Sequence, residues 1–324
     1  MPRTALVTGA TGFVGSHVVD VLLEAGWRVR CTVRATSDLR WMEGKDAELL
    51  VADLADDVGL KRAVAGVDAV IHCAGRTRGS RQQLFAANHE GTRQLLEACA
   101  GSGRQVRFVY CSSLAAAGPG TLERPREEDD APAPNSDYGR SKLAGEEETL
   151  KYAGRFDVAI LRPGSVYGPR DEDTLPFFQM AAKGVVVVPG FRRRLVQLVH
   201  ARDVAAALRL AAEKPAAVGR TYFVAHPEIL DWKELAAAIA GAVNRRTLSL
   251  RLPSPVMRIA GLASELVGSG AQGQLDRRRA ADMSERAWTC RVDRLMGELG
   301  WEPAYDSQRG LRETAEWYRK EGWM

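Results

Sequence analysis

The chain has 324 residues, 45% of them hydrophobic and 27% charged, enough for one large α/β domain with an accessory lobe or for two modest domains. Its formal net charge of +4 is too small to point to nucleic acid, and no apolar run approaches the roughly 18–20 residues needed to span a bilayer. Five scattered cysteines (Cys31, Cys73, Cys99, Cys111, Cys290), odd in number and without CxxC, argue against a disulfide framework or a zinc site. The N-terminus enters a strand pattern at once, so the expected setting is the cytoplasm.

Thr4–Thr8 reads as a strand ending in Gly9-Ala10-Thr11-Gly12-Phe13-Val14-Gly15, followed by an amphipathic helix, Ser16–Ala25, stopped by Gly26. Strand, glycine turn and helix together suit a pyrophosphate. Glycines let backbone approach it, and the helix N-terminus offers free N–H groups and a favourable dipole. The spacing is GxxGxxG, not the GxGxxG of typical dinucleotide dehydrogenases. The second strand is Arg28–Val33. In dinucleotide-binding folds the end of this strand meets the adenosine ribose, where an acid suits a free 2′-hydroxyl and an arginine a 2′-phosphate. Arg34 stands there and no carboxylate does, which favours NADP(H), with NAD(H) the alternative.

Leu49–Ala52 is a third strand, and Asp53-Leu54 follows where an adenine amino group would be read; Asp56–Ala65 is helical. Val67–Cys73 is a fourth strand running into Ala74-Gly75, small residues against which a cofactor can lie. After the basic loop Arg76–Arg81 comes a long helix, Gln82–Ala100, carrying Asn88. Val106–Cys111 is a fifth strand with Ser112-Ser113 at its C-terminal edge, the edge off which ligands sit in open parallel sheets. Cys111, at a buried strand end, reads as core. A Pro/Glu/Asp-rich loop leads to Ser136–Lys142, where Tyr138 and Lys142 are four apart and share a helix face. A tyrosine is a poor proton donor near neutral pH, and a cation held beside it favours the phenolate. Asp157–Leu161 is a sixth strand, followed by Arg162-Pro163-Gly164-Ser165-Val166-Tyr167-Gly168-Pro169.

This alternation argues an α/β fold, a doubly wound parallel (Rossmann) sheet with a smaller C-terminal substrate lobe. The dinucleotide-binding domain is expected over 1–162 and about 200–218, and the lobe over about 163–199 and 219–324. Beyond the alternating part, Leu175–Lys183 reads as helix, Val185–Val188 and Leu195–Val199 as strands, and Ala201–Glu213 as helix. Thr221–Val224 reads as a strand, and Trp232–Val243, Ser254–Val267, Arg291–Leu299 and Ser307–Glu321 as helices. His72, His200 and His226 lack metal-ligand spacing and read as structural, so no metal is expected. The run Arg192-Arg193-Arg194 reads as a solvated loop, with a grip on a diphosphate as the alternative.

Taken together these stretches resemble the extended short-chain dehydrogenase/reductase family. The resemblance is carried by Thr8–Gly15, Asp53-Leu54, Asn88 in Asn-His-Glu-Gly-Thr, Ser112-Ser113, Tyr138/Lys142, Leu161-Arg162-Pro163, Val166-Tyr167-Gly168-Pro169 and His200-Ala201-Arg202-Asp203-Val204. The segments Glu298-Leu299-Gly300-Trp301, Gly310–Thr314 and Trp317-Tyr318 extend it to the C-terminus. By that resemblance the catalytic residues are Ser113, which lies 25 residues before the tyrosine, Tyr138 and Lys142, with Ser112 orienting Ser113. It further implies a cofactor pocket of Gly9, Thr11, Gly12, Phe13, Val14, Gly15, Arg34, Asp53, Leu54, Ala74, Gly75, Asn88, Tyr138, Lys142 and Pro163. Tyr138 would exchange the proton, Ser113 would hold the substrate oxygen, and Lys142 would bond the nicotinamide ribose. A homodimer through the helices of residues 83–100 and 137–153 is also common in the family.

Within the family, Leu114-Ala115-Ala116-Ala117 puts no acid after Ser113, which disfavours a dehydratase. Ala117-Gly118 and Pro163-Gly164-Ser165 depart from the aromatic-Gly pair and the Asn of sugar-nucleotide epimerases. The expectation is therefore a reductase or dehydrogenase acting on a ketone or secondary alcohol, with a nucleotide-sugar epimerase as alternative. A non-catalytic cofactor-binding regulator is third.

Overall fold

The structure is a computed structural model that describes residues 3–252 and 285–324. The helix expected at 254–267 lies outside the described residues. Along the first half run β1 (Thr4–Thr8), α1 (Phe13–Glu24), β2 (Arg28–Val33), β3 (Ala47–Val51), α2 (Asp57–Val64) and β4 (Ala69–His72). Next come α3 (Arg81–Phe85), a π-helical turn (Ala86–Glu90), α4 (Gly91–Gly101), β5 (Arg107–Cys111), α5 (Leu114–Ala117), α6 (Asp137–Leu150) and β6 (Asp157–Pro163). The second half holds β7 (Ser165–Tyr167), α7 (Leu175–Ala182), β8 (Val185–Pro189), β9 (Leu195–His200), α8 (Ala201–Glu213), β10 (Arg220–Val224), β11 (Ile229–Asp231) and α9 (Trp232–Ala242). It closes with β12 (Leu248–Leu252), β13 (Ala287–Trp288), α10 (Asp293–Leu299) and α11 (Ser307–Lys320).

Seven strands form one parallel sheet in the order β3-β2-β1-β4-β5-β6-β10. Helices cover both faces, so its central strands read as unbroken apolar runs rather than alternating ones; β4 is buried at all four positions. Val18, Val19 and Leu22 of α1 pack with Val204, Leu208 and Ala211 of α8 on one face. Leu60 and Val64 of α2 and Leu95 and Leu96 of α4 fill the other. The order reverses between β1 and β4, and that switch point opens the crevice in which such sheets bind ligands.

One expectation is corrected here. Residues 220–224, assigned to the lobe, form β10, the edge strand of the large sheet beside β6. Loss of strand–helix alternation hid this, because the chain leaves for the lobe after β6 and returns through α8. The lobe contains β7, β9, β11 and β13 in one small sheet, the pair β8–β12, and a second core with Phe178, Leu235, Ile239, Leu311 and Tyr318. The strands β7, β11 and β13, of two or three residues, went unseen in the sequence, being too short for a periodicity, and β12, whose Leu-Ser-Leu-Arg-Leu alternates, was overlooked. Asp203 locks the C-terminal segment: its carboxylate accepts from the N–H groups of Ala304 (2.9 Å) and Tyr305 (3.2 Å), and its carbonyl accepts from Trp301 Nε1 (3.0 Å). No helix among the described residues is long and apolar enough to cross a membrane.

Candidate active site

The glycine turn between β1 and α1 is shaped by what cannot be added to it. Gly9 has φ of +71°, and a Cβ there would lie 2.6 Å from the Ala74 nitrogen; a Cβ on Gly15 would run into the Gly9 carbonyl. Backbone therefore packs on backbone, and Ala74-Gly75 close against the turn. Gly12 caps α1 without a side-chain bond, and the first turn of α1 carries no acid. Its N-terminal N–H groups and dipole remain available to an anion.

Beyond β4 the chain is pinned by Asn88, fully buried in the π-helical turn. Its amide accepts from Arg76 N (2.8 Å) and donates to Arg76 O (2.8 Å) and Ser141 Oγ (2.9 Å). This side chain thus joins the loop after β4 to the helix that carries Tyr138. Behind it, His72 bridges Thr8 Oγ1 and Thr92 Oγ1, and burial pushes its pKa down to about 3, so it is neutral and structural.

Helix α6 begins at Ser136, whose Oγ accepts from Gly139 N (3.1 Å). This cap fixes the first turn, and Tyr138 and Lys142 are buried on one face. The Tyr138 ring packs with Leu84 and Ala115. Lys142 Nζ donates to the Cys111 carbonyl (2.7 Å) and lies 4.2 Å from the Tyr110 ring centroid. Ser113 caps α5, its Oγ accepting from Ala115 N (3.2 Å). Ser112 does not orient it. Its hydroxyl instead donates to Glu146, which takes a bidentate pair of bonds from Arg162 (2.9 and 2.6 Å) in a nearly dry interior.

A cleft of 360 Å³ at the switch point gathers Phe13, Val14, Gly75, Asn88, Ser113, Tyr138, Lys142 and Pro163 from the expected set. The rest of that set lies outside its lining. Gly9, Thr11, Gly12, Gly15 and Ala74 form the turn beside it; Arg34 is exposed past the end of β2, its N–H donating to Ser37 Oγ (3.0 Å). Asp53 accepts from Ala55 N (3.0 Å) and so shapes the turn into α2, while Leu54 packs against Gly91. The run at 192–194 splits: Arg192 and Arg193 are exposed, whereas Arg194 is buried and donates to Pro189 O (2.8 Å).

Three features were missed in the sequence, one buried behind the cleft and two in its lining. Glu146 stands four residues after Lys142 and eight after Tyr138, so its helical phase was a signal that it faces the same interior. Asp171 lines the cleft, accepts from Asp173 N (2.8 Å) and Thr174 N (3.2 Å), and is pushed up to about 7 by burial. Nothing in the sequence marks it. Cys111, read as core, is half-buried and lines the cleft together with Cys73.

A parallel sheet with a cleft at its switch point, beside a turn that only backbone can fill, is the architecture of an α/β enzyme that holds a dinucleotide. The model of the NAD dependent epimerase/dehydratase family matches residues 5–225, and the chain belongs to that family, within the extended short-chain dehydrogenases/reductases. It is 30% identical to the "Ceramide reductase" of Caulobacter vibrioides, over 98% of this chain and 95% of that protein. It is 28% identical to a "UDP-glucose 4-epimerase" of Vibrio cholerae, again over 98% and 95%. The crystal structure of gox2253 superposes with a TM-score of 0.83 at 29% identity, covering 99% of both chains. The protein is an NAD(P)-dependent enzyme of the short-chain type.

Proposed function

We propose that the enzyme is an NADP(H)-dependent carbonyl reductase and alcohol dehydrogenase for a substrate with an apolar body. The observation that carries this reading is a second cavity of 210 Å³, which shares Ser165, Asp173 and Trp288 with the cleft beside Tyr138. Its other walls include Tyr167, Phe177, Phe178, Leu198, Trp232 and Leu311, with no cation among the described lining residues. A diphosphate placed there would lose its water without gaining a counter-charge, at a cost of several kcal/mol per ion. A hydrocarbon body would instead gain about 25 cal/mol for each Å² withdrawn from water.

The cofactor fits the turn: Gly9, Gly12 and Gly15 admit a pyrophosphate at the N-terminus of α1, and the exposed Arg34 past the end of β2 supports a reading in which it pairs with a 2′-phosphate. When bound, the nicotinamide supplies hydride to a carbonyl carbon or takes it from a carbinol carbon. Ser113 Oγ donates to the substrate oxygen and holds it in line. Tyr138 gives that oxygen its phenolic proton in reduction and recovers it in oxidation. Lys142, anchored by the Cys111 carbonyl, keeps a positive charge one helical turn away to stabilise the charge left on Tyr138.

Likeness over the full length to a UDP-glucose 4-epimerase supports the second reading, and turnover separates the two. With apolar ketones the protein is expected to consume NADPH stoichiometrically and to prefer it to NADH, with Arg34→Ala raising KM for NADPH alone. Interconversion of a UDP-hexose without net cofactor consumption would replace the reductase reading with the epimerase one. A strong NADH preference would remove the role given to Arg34.

A further inference from the structure

Cys73 and Cys111 are far apart in the sequence, and the sheet brings them together. Strands β4 and β5 pair in parallel with His72 opposite Tyr110, so the next residues, Cys73 and Cys111, stand side by side as both strands leave the sheet. Neighbouring strands lie about 4.7–4.9 Å apart, inside the Cα separation of about 4.4–6.8 Å that a disulfide bridges. Both residues are half-buried and both line the cleft, close enough for each thiol to shift the ionisation of the other.

The pair differs from the other three cysteines. Cys31, Cys99 and Cys290 are buried, and desolvation raises their thiol pKa values, those of Cys31 and Cys99 to about 12. At Cys111 the neighbouring Cys73 thiol outweighs burial, the Lys142 ammonium acts in the same direction, and the thiol goes down; Cys73, facing Cys111, goes up. Cys111 is thus the more readily ionised of the two, and Cys73 stands beside it as the resolving thiol.

We propose that Cys73 and Cys111 are a redox-active dithiol in the wall of the cofactor cleft, with a hydroperoxide as oxidant. The Cys111 thiolate attacks one peroxide oxygen and the O–O bond breaks. The departing alkoxide, or hydroxide from hydrogen peroxide, takes up a proton and leaves as alcohol or water, and Cys111 becomes a sulfenic acid. Cys73 then gives up its proton as its sulfur attacks the Cys111 sulfur. The S–O bond breaks, the oxygen leaves with that proton as water, and a disulfide remains. Two thiols lose two electrons and the peroxide gains them; a thiol reductant reverses the change.

Closing the bond brings the sulfurs to about 2.05 Å. It thereby ties together the strand ends that carry Ala74-Gly75 and the carbonyl anchoring Lys142. The location beside the cofactor rests on the cofactor reading above; the chemistry of the pair does not.

The test is peptide mapping of the full-length folded protein after hydrogen peroxide, with and without saturating NADP⁺ whose binding is verified by thermal shift. The expected product is a Cys73–Cys111 linked peptide, two hydrogens lighter and restored by dithiothreitol, with Cys31, Cys99 and Cys290 still free. In Cys73→Ser, sulfenic acid at Cys111 should accumulate and react with dimedone, and in Cys111→Ser no linkage should form. Bound NADP⁺ should slow the reaction several-fold. Unlinked Cys73 and Cys111 after excess peroxide in protein that retains its circular dichroism would overturn the proposal, as would oxidation spread evenly over all five cysteines. These readouts need no turnover, so they fail independently of the reductase reading.

Discussion

Tyr138 and Lys142 are set in place by the Ser136 cap on their helix, and Lys142 also by the Cys111 carbonyl and the Tyr110 ring. Removing only the phenolic oxygen keeps the ring that packs with Leu84 and Ala115. Tyr138→Phe is expected to lose at least about 100-fold in kcat, with cofactor affinity nearly unchanged; near-normal turnover would end the proton-transfer assignment. The second residue-scale prediction concerns the buried Glu146–Arg162 pair. Glu146→Ala leaves a guanidinium in a dry interior without its counter-charge, a situation that costs about 3–5 kcal/mol. Urea unfolding should register that loss, and a change under about 1 kcal/mol would show that the pair is solvated. Helical spacing marked Tyr138 and Lys142 and the family resemblance marked Ser113, whereas Glu146 looked like one of several acids on α6. Its helical phase pointed inward, but only the return of Arg162 on β6 supplies the counter-charge that lets it stay there.

Helix α6 reaches its place because glycines let it sit close to its neighbours. A Cβ on Gly145 would strike the Tyr110 hydroxyl and the Asn88 carbonyl. Gly145→Ala should push α6 away from β5, costing about 1–3 kcal/mol as overpacking does and lowering kcat because Tyr138 and Lys142 ride on the same helix. Gly101→Ala, at the end of α4 with nothing within 4 Å of its added Cβ, is the control and should change stability by less than about 1 kcal/mol. Equal stability of the two variants would show that α6 has room to spare. The helix itself was legible from its cap and spacing. Its close approach was not, because a glycine inside a helix looks in sequence only like a weakness.

Across the whole molecule, three buried histidines connect stability to pH. His17, His72 and His200 are each pushed down to about 3, chiefly by burial, while an unfolded histidine titrates near 6.5. Their contribution is fully present above about pH 6.5 and is lost as pH falls towards 3, because only the unfolded chain binds the protons. Asp171, pushed up to about 7, works the other way, since its folded form holds a proton that the unfolded form releases above about pH 4. The raised carboxyls of Glu128 and Asp203 act in the same direction as Asp171. The three histidines carry large shifts against one such carboxyl, Asp171, with Glu128 and Asp203 shifted less, so between pH 5.5 and 7.5 the histidines dominate and the urea midpoint should be higher at pH 7.5 than at pH 5.5. A flat or reversed profile would contradict the burial of the histidines.

By itself the sequence determined the phosphate-type turn, the strand–helix alternation and the Tyr–Lys helix face, because each depends on residues within a turn or two of one another. The tertiary structure decided what depends on distant segments. It returned residues 220–224 to the large sheet, set Asp171 and Trp288 into the cleft wall, and opened an apolar cavity that adjoins the cleft. It also placed Cys73 against Cys111. The physical reason is that strand neighbours and cavity walls are set by which long-range pairings bury the most surface, and no local pattern of residues encodes that choice.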